Sequence, residues 1–143
     1  MTVSLILSRK GNDIVTIGPE ASVGDAVTLL AKHRIGAIVV VDDTRSVEGI
    51  VSERDVVRIL GERGVDVLGE TIGSVMTRAV VTCTVDETIP VIMERMTRGR
   101  FRHVPVVAGD KLVGIISIGD VVKFRVEEME RESAQLRDYI MSA

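Results

Sequence analysis

The sequence predicts a mixed α/β (α+β) domain of two β-α-β-β-α repeats packed with pseudo-two-fold symmetry, followed by a C-terminal helical extension. Three observations carry this. Ile14-Val15-Thr16-Ile17 returns as Val80-Val81-Thr82-Cys83, and Val39-Val40-Val41 as Pro105-Val106-Val107, both 66 residues later. Gly49-Ile50-Val51-Ser52-Glu53-Arg54-Asp55-Val56-Val57 returns as Gly114-Ile115-Ile116-Ser117-Ile118-Gly119-Asp120-Val121-Val122, identical at six of nine positions. Valine-rich stretches match easily between any two buried strands, so the Gly, Ser and Asp carry the signal. The third observation is the alternation of β-branched runs with helical periodicity inside each half.

In chain order, a short strand around residues 14–17 opens the first repeat. Ser22 is placed to cap a helix whose apolar face is Val23, Ala26, Val27 and Leu30. Ile38–Val41 and Val47–Val51 flank the polar turn 42–46 and form a hairpin, and the helix after Asp55 ends at Gly61 and Gly64. The second repeat starts at 80–83, buries Ile89, Ile92, Met93 and Met96 on its helix, and repeats the hairpin with Val104–Val107 and Leu112–Ile116. The expected limits are 13–62 for repeat 1, 63–78 for a connecting segment without low complexity, 79–124 for repeat 2 and 125–143 for the C-terminal helix, all within one module of residues 1–143. Neither repeat alone buries a comfortable core, so the two pack face to face. In the tail, Val122, Val126, Met129, Ser133, Leu136 and Ile140 are spaced 4, 3, 4, 3 and 4. That is a heptad-like seam, which fits either docking on its own domain or contact with a second copy.

Composition excludes several functions. With 18 Lys+Arg against 21 Asp+Glu the net charge is −3, and two Phe, one Tyr and no Trp leave few platforms for base stacking, so nucleic acid is not the leading partner. One Cys cannot make an internal disulfide and two His do not make a zinc cage, which points to the cytoplasm. Cys83 reads as a small buried hydrophobe. The apolar run Val3–Leu7 is too short for a signal segment, and no later run approaches a membrane span. Neither a P-loop nor a Gly-x-Gly-x-x-Gly fingerprint occurs, and no nucleophile, base and orienting group can be assembled, so the chain does not read as an enzyme.

Two features remain for chemistry. Ser52-x-x-Asp55 and Ser117-x-x-Asp120 each follow a strand and open a helix. They can be capping boxes, and they can equally present N–H groups, a hydroxyl and a carboxylate to a phosphorylated sugar. Arg95, Arg98, Arg100, Arg102 and His103 form an acid-free cationic run in a negatively charged chain. Arg95 and Arg98 read as helix-surface residues, and Arg100, Arg102 and His103 as contacts to an anion. His33 sits near a helix end, where a dipole contact accounts for it.

Together the doubled Gly-hydrophobic-x-Ser-x-x-Asp, Ile35-Gly36-Ala37 and Arg102-His103-Val104-Pro105 resemble the tandem CBS-domain pair, or Bateman module, over roughly residues 13 to 124. The resemblance implies a disc with two clefts and adenosine ligands: AMP, ADP, ATP, NAD(H) or, less readily, S-adenosylmethionine. By it, Asp55 and Asp120 would hold ribose hydroxyls, Ser52 and Ser117 would contact ribose or phosphate, and Arg54, Arg102 and His103 would face phosphate. The adenine slot would be lined by Thr16, Ala21, Ile35, Gly36 and Ala37 in one cleft and by Thr82, Phe101 and Arg102 in the other. Ala37 stands where the second repeat has His103, so the two sites should differ, with a cation in one of them. The expected role is a non-catalytic regulatory module, a homodimer reporting energy or redox state to an effector protein in trans. A nucleotide-independent dimeric scaffold is the first alternative, and a nucleic-acid-binding module using the cluster from Arg95 to Arg102 is the second.

Overall fold

A computed structural model describes residues 1–11 and 13–142. An eight-residue helix, α1 (Val3–Lys10), comes first, followed by β1 (Thr16–Ile17), α2 (Val23–His33), β2 (Ala37–Val41), β3 (Val47–Ser52) and α3 (Glu53–Arg63). A 3₁₀ turn (Val65–Gly69) and a short α4 (Ile72–Val75) cross to the second half. There α5 (Ile89–Gly99), β4 (His103–Ala108), β5 (Lys111–Ser117) and a 25-residue α6 (Ile118–Ser142) follow. The tail expected as a helix over 125–143 therefore continues α6 without a break as far as Ser142, and Ala143 lies outside the described residues.

The local reasons for these elements are mostly visible in the residues. Ser22 accepts from the Asp25 N–H at 3.0 Å while Asp25 accepts from the Ser22 N–H at 3.2 Å, so α2 begins with a capping box. α3 runs through Gly61 and stops at Gly64, whose φ of 79° suits a residue without a Cβ. β2 is buried along its whole length because its two faces serve different cores. Ile38 and Val40 pack with Ile17, Val23, Leu30 and Val51 in the first repeat, while Val39 and Val41 pack with Leu112 between the two sheets.

The first sheet has the order β1-β2-β3, with β1 parallel to β2 through Thr16↔Val39 and Ile17↔Val40. The strand expected at 80–83 does not form as such: only a single parallel bridge, Cys83↔Val106, remains beside the β4-β5 hairpin. Pro105 occupies the position of Val39 and has no N–H to extend the ladder back to the Val81 carbonyl. Cys83 itself is buried in the second core, and desolvation there pushes its thiol up to about 12, so it is an inert packing residue.

α1 has no counterpart among the elements expected from the sequence, in which Val3–Leu7 is only a run too short for a signal segment. Val3, Ile6 and Leu7 enter the core of the second repeat, together with Ile89, Ile92, Val104, Ile116 and Phe124. Ile72 and Met76, from α4 and its end, enter the core of the first repeat. Each repeat therefore lends its leading helix to the other. Both helices meet a glycine on the partner's second hairpin strand. A Cβ on Gly114 would lie 2.6 Å from Leu7 Cδ2, and one on Gly49 would lie 2.5 Å from Met76 Sδ and 2.9 Å from the Thr77 carbonyl. This exchange, with the shared Val39–Val41–Leu112 layer and the Leu112 N–H to Arg45 carbonyl bond of 3.0 Å, makes one body of the two halves.

Candidate functional site

The two Ser-x-x-Asp motifs are capping boxes in the structure. Ser52 Oγ accepts from the Asp55 N–H at 3.1 Å and Asp55 Oδ2 accepts from the Ser52 N–H at 3.0 Å; the corresponding distances for Ser117 and Asp120 are 3.1 and 2.9 Å. Each box also leans on the chain before the partner strand. The Glu53 N–H donates to the Gly36 carbonyl at 2.9 Å, and the Ile118 N–H donates to the Arg102 carbonyl at 2.8 Å. Capping uses one carboxylate oxygen and leaves the serine hydroxyl free to donate, so it does not exhaust these groups.

Around Asp55 lies an open cleft of about 550 Å³, within the usual range for a small-molecule site. Of the residues singled out in the sequence, it gathers Gly36, Ala37, Ser52, Arg54, Asp55, Arg100, Phe101, Arg102 and His103. Ala37 and His103 start β2 and β4 and face Ser52 and Ser117 across their hairpins, which brings the two strand entries side by side. The contact is close: a Cβ on Gly36 would lie 3.1 Å from the His103 ring. Phe101, Arg102 and His103 thus share the cleft of Asp55 instead of forming a separate one. Ile50, Glu53, Val57 and Thr77 also line it. Glu53 and Ile50 were already inside the doubled motif, whereas Thr77 is brought in by tertiary pairing alone, through reciprocal 3.0 Å bonds with Ile50.

Thr16, Ala21, Ile35 and Thr82 are not in the lining. Thr16 belongs to the β1 ladder, Ala21 and Ile35 pack against the first core, and the Thr82 carbonyl accepts from Arg95 Nη1 at 3.4 Å. Arg95 is half-buried and paired with Glu87, which corrects its reading as a plain surface residue; Arg98 pairs with Glu94 at 2.7 Å on the exposed face. Among the described residues no cluster of His, Cys, Asp and Glu could hold a metal ion.

His103 differs from its expected role as a fixed cation. Burial lowers its pKa, the nearby Lys10 and Arg102 charges lower it further, and Asp120 and Glu53 oppose them only in part. The imidazole is therefore neutral at neutral pH, and the positive charge of the cleft comes from Arg54, Arg100 and Arg102.

The second motif is occupied from within. Lys10, at the end of α1, donates to Asp120 Oδ2 at 2.7 Å and to the Ile115 carbonyl at 2.9 Å. Burial raises the Asp120 carboxyl, but the Lys10 and Ser117 hydrogen bonds outweigh it and hold the group below its ordinary value. Next to this pair Arg9 bonds Glu127 at 2.9 Å and lies 6.0 Å over the Phe124 ring. Among the described residues Asp55 has no such neighbour; its Oδ1 meets only the exposed Arg58, at 3.5 Å. The inequality of the two sites therefore comes less from Ala37 against His103 than from α1.

The comparisons agree with this architecture. The family model described as "CBS domain" matches twice, over residues 6–62 and 72–127. Both matches start in the leading helices, at Ile6 and Ile72. The mitochondrial CBS-domain-containing protein CBSX3 of Arabidopsis thaliana is 32% identical over 97% of this chain and 71% of its own length. A crystal structure of a CBS-domain-containing protein from Agrobacterium tumefaciens superposes with a TM-score of 0.83 at 48% identity, covering 87% of this chain and 99% of that one. The CBS domain pair of protein MJ0100, solved in complex with 5'-methylthioadenosine and S-adenosyl-L-methionine, superposes with a TM-score of 0.80 at 26% identity, over 90% of this chain and 98% of that one.

Proposed function

Because the chain belongs to the CBS-domain family, we propose that it is a non-catalytic regulatory module that binds one adenosine-containing nucleotide per chain in the Asp55 cleft. The observation that carries this reading is the pairing, across one cavity of about 550 Å³, of a capped carboxylate at a helix N-terminus with Arg54, Arg100 and Arg102. Asp55 accepts from the ribose hydroxyls, and the Ser52 hydroxyl donates to ribose or to the first phosphate. The adenine lies against Ala37, Ile50, Val57 and the Phe101 ring, and the guanidinium groups take the phosphates. A relative solved with two adenosine compounds supports the adenosine moiety. The arginines favour AMP, ADP, ATP or NAD(H) over the cationic sulfonium of S-adenosylmethionine.

On this reading binding itself is the function of the cleft, and its output is a conformational signal to an effector protein in trans. Self-association as a homodimer and a cytoplasmic location complete the proposal. A single free, buried thiol supports that location. Release of bound small molecules by denaturation, identified by mass spectrometry, followed by calorimetric titration of AMP, ATP, NADH and S-adenosylmethionine, tests the reading. A phosphorylated adenosine ligand should bind about once per chain, and Asp55→Ala should weaken it at least about tenfold, the loss of a charge-assisted hydrogen bond. No saturable binding by any of the four would leave a nucleotide-independent scaffold whose Ser and Asp residues only cap helices.

A further inference from the structure

Beyond Glu127, which Arg9 holds at 2.9 Å, the half of α6 that projects from the domain packs against nothing among the described residues of the single chain. Val121 and Phe124 are its only buried residues, and from Arg125 to Ser142 none is. An isolated helix of this length is marginal in water, so a packed face is needed to hold it. The available face is the seam Val122, Val126, Met129, Ser133, Leu136 and Ile140, whose apolar members are 48–65% exposed. At 100° per residue the seam is centred roughly 130° round the helix from the buried Val121–Phe124 face, so it points away from its own domain.

We propose that this seam pairs with the same seam of a second copy, in register and parallel, as a short two-stranded coiled coil. Placing Val126, Ser133 and Ile140 at a and Val122, Met129 and Leu136 at d puts Lys123, Glu130 and Arg137 at e and Arg125, Glu132 and Tyr139 at g. In a parallel pair each g residue meets the e' residue five positions on. Arg125 then faces Glu130 of the other copy and Glu132 faces its Arg137, giving four opposite-charge pairs by symmetry. Arg125 would exchange its weak 3.4 Å contact with Glu128 for this one. An antiparallel pair brings e against e' and g against g'. That sets Glu130 against Glu130, Glu132 against Glu132 and Lys123 against Arg137, all like charges. Ser133 favours the same choice, since a polar a residue opposite its own copy sets register, whereas antiparallel packing buries it against Met129. The charges thus choose both the partner and the direction.

This inference rests on the homodimer reading and adds its direction, so the test separates the two. In the full-length chain, whose native Cys83 is buried, Val122→Cys and Ile140→Cys are introduced singly and oxidised mildly. Parallel pairing predicts that each variant cross-links to itself and that a mixture of the two gives no mixed disulfide. In the antiparallel arrangement identical copies of residue 140 would stand about 27 Å apart, and only the mixture would link. Arg125→Glu should weaken self-association on the order of tenfold by sedimentation, and adding Glu130→Arg should restore it. A dimer by mass with no cross-link at either position would overturn the seam and leave the homodimer. A monomer mass at working concentration would overturn both.

Discussion

Lys10→Ala tests whether the Lys10–Asp120 pair keeps a second ligand out of the cavity of about 420 Å³ that Arg9, Lys10, Asp120 and Phe124 line. The substitution removes two hydrogen bonds from a partly exposed ammonium group, at 2.7 Å to Asp120 and 2.9 Å to the Ile115 carbonyl, where the two side chains of the ion pair are 34% and 23% exposed. Asp120 keeps its bond from the Ser117 N–H, so no carboxylate is stranded. The loss should be about 1 kcal/mol, near the upper end for a solvent-screened pair, and should lower the melting temperature by about 2–4 °C. The gap should also close in acid. Asp120 has a lowered pKa, so the stabilisation it provides is complete above the ordinary carboxylate value and is lost as pH falls through its folded value. The functional effect should be larger than the loss of stability. Calorimetric titration with the nucleotide identified for the wild type should move from one site per chain toward two, and Lys10→Ala/Asp120→Ala should return to one. A wild type that already binds two, or a Lys10→Ala variant with unchanged stability and unchanged stoichiometry, would refute the reasoning.

Two further outcomes follow from the geometry. Gly49→Ala should destabilise by about 1–3 kcal/mol in urea unfolding, because its Cβ would meet the Thr77 carbonyl at 2.9 Å as well as Met76, and backbone cannot step aside. Gly114→Ala should lose less, since the obstruction is the flexible end of Leu7; equal losses would contradict the account of the exchanged helices. For His103 the lowered pKa means that its contribution to stability is present above the ordinary imidazole value and lost as pH falls through the folded one. Protonation also adds charge beside the arginines, so affinity for a phosphorylated nucleotide should rise in the wild type as pH falls through the lowered value of His103. His103→Gln should flatten both profiles in calorimetry and thermal melts, and an unchanged slope would remove His103 from the phosphate side of the cleft.

Much of the molecule was legible in one dimension because the repeat places equivalent groups at equivalent offsets. The capping boxes at Ser22, Ser52 and Ser117 needed only residues three apart. The hairpins needed only β-branched runs around polar turns. The cationic run from Arg95 to His103 was visible as charge, but its division was not: Arg95 turns to Glu87 and Arg98 to Glu94, while Arg100 and Arg102 reach the cleft. The missing strand at 80–83 was in principle readable from Pro105, whose lack of an N–H is a property of the residue itself. α1 could have been found from Ile6 and Ile72, which share the offset of 66.

The sequence by itself determined the doubled unit, the capped helix starts, the paired Ser and Asp and the heptad spacing of the tail, since each depends on neighbours within a few residues or on an exact internal comparison. Only the tertiary structure decided which of the two clefts holds a lysine on its carboxylate. That outcome depends on contacts more than 100 positions apart, Lys10 on Asp120 and Arg9 on Glu127, and on the close approach of His103 to Gly36. Charge and spacing name the groups that can bind an anion. The exchange of leading helices between repeats determines which of two equally exposed carboxylates meets a lysine.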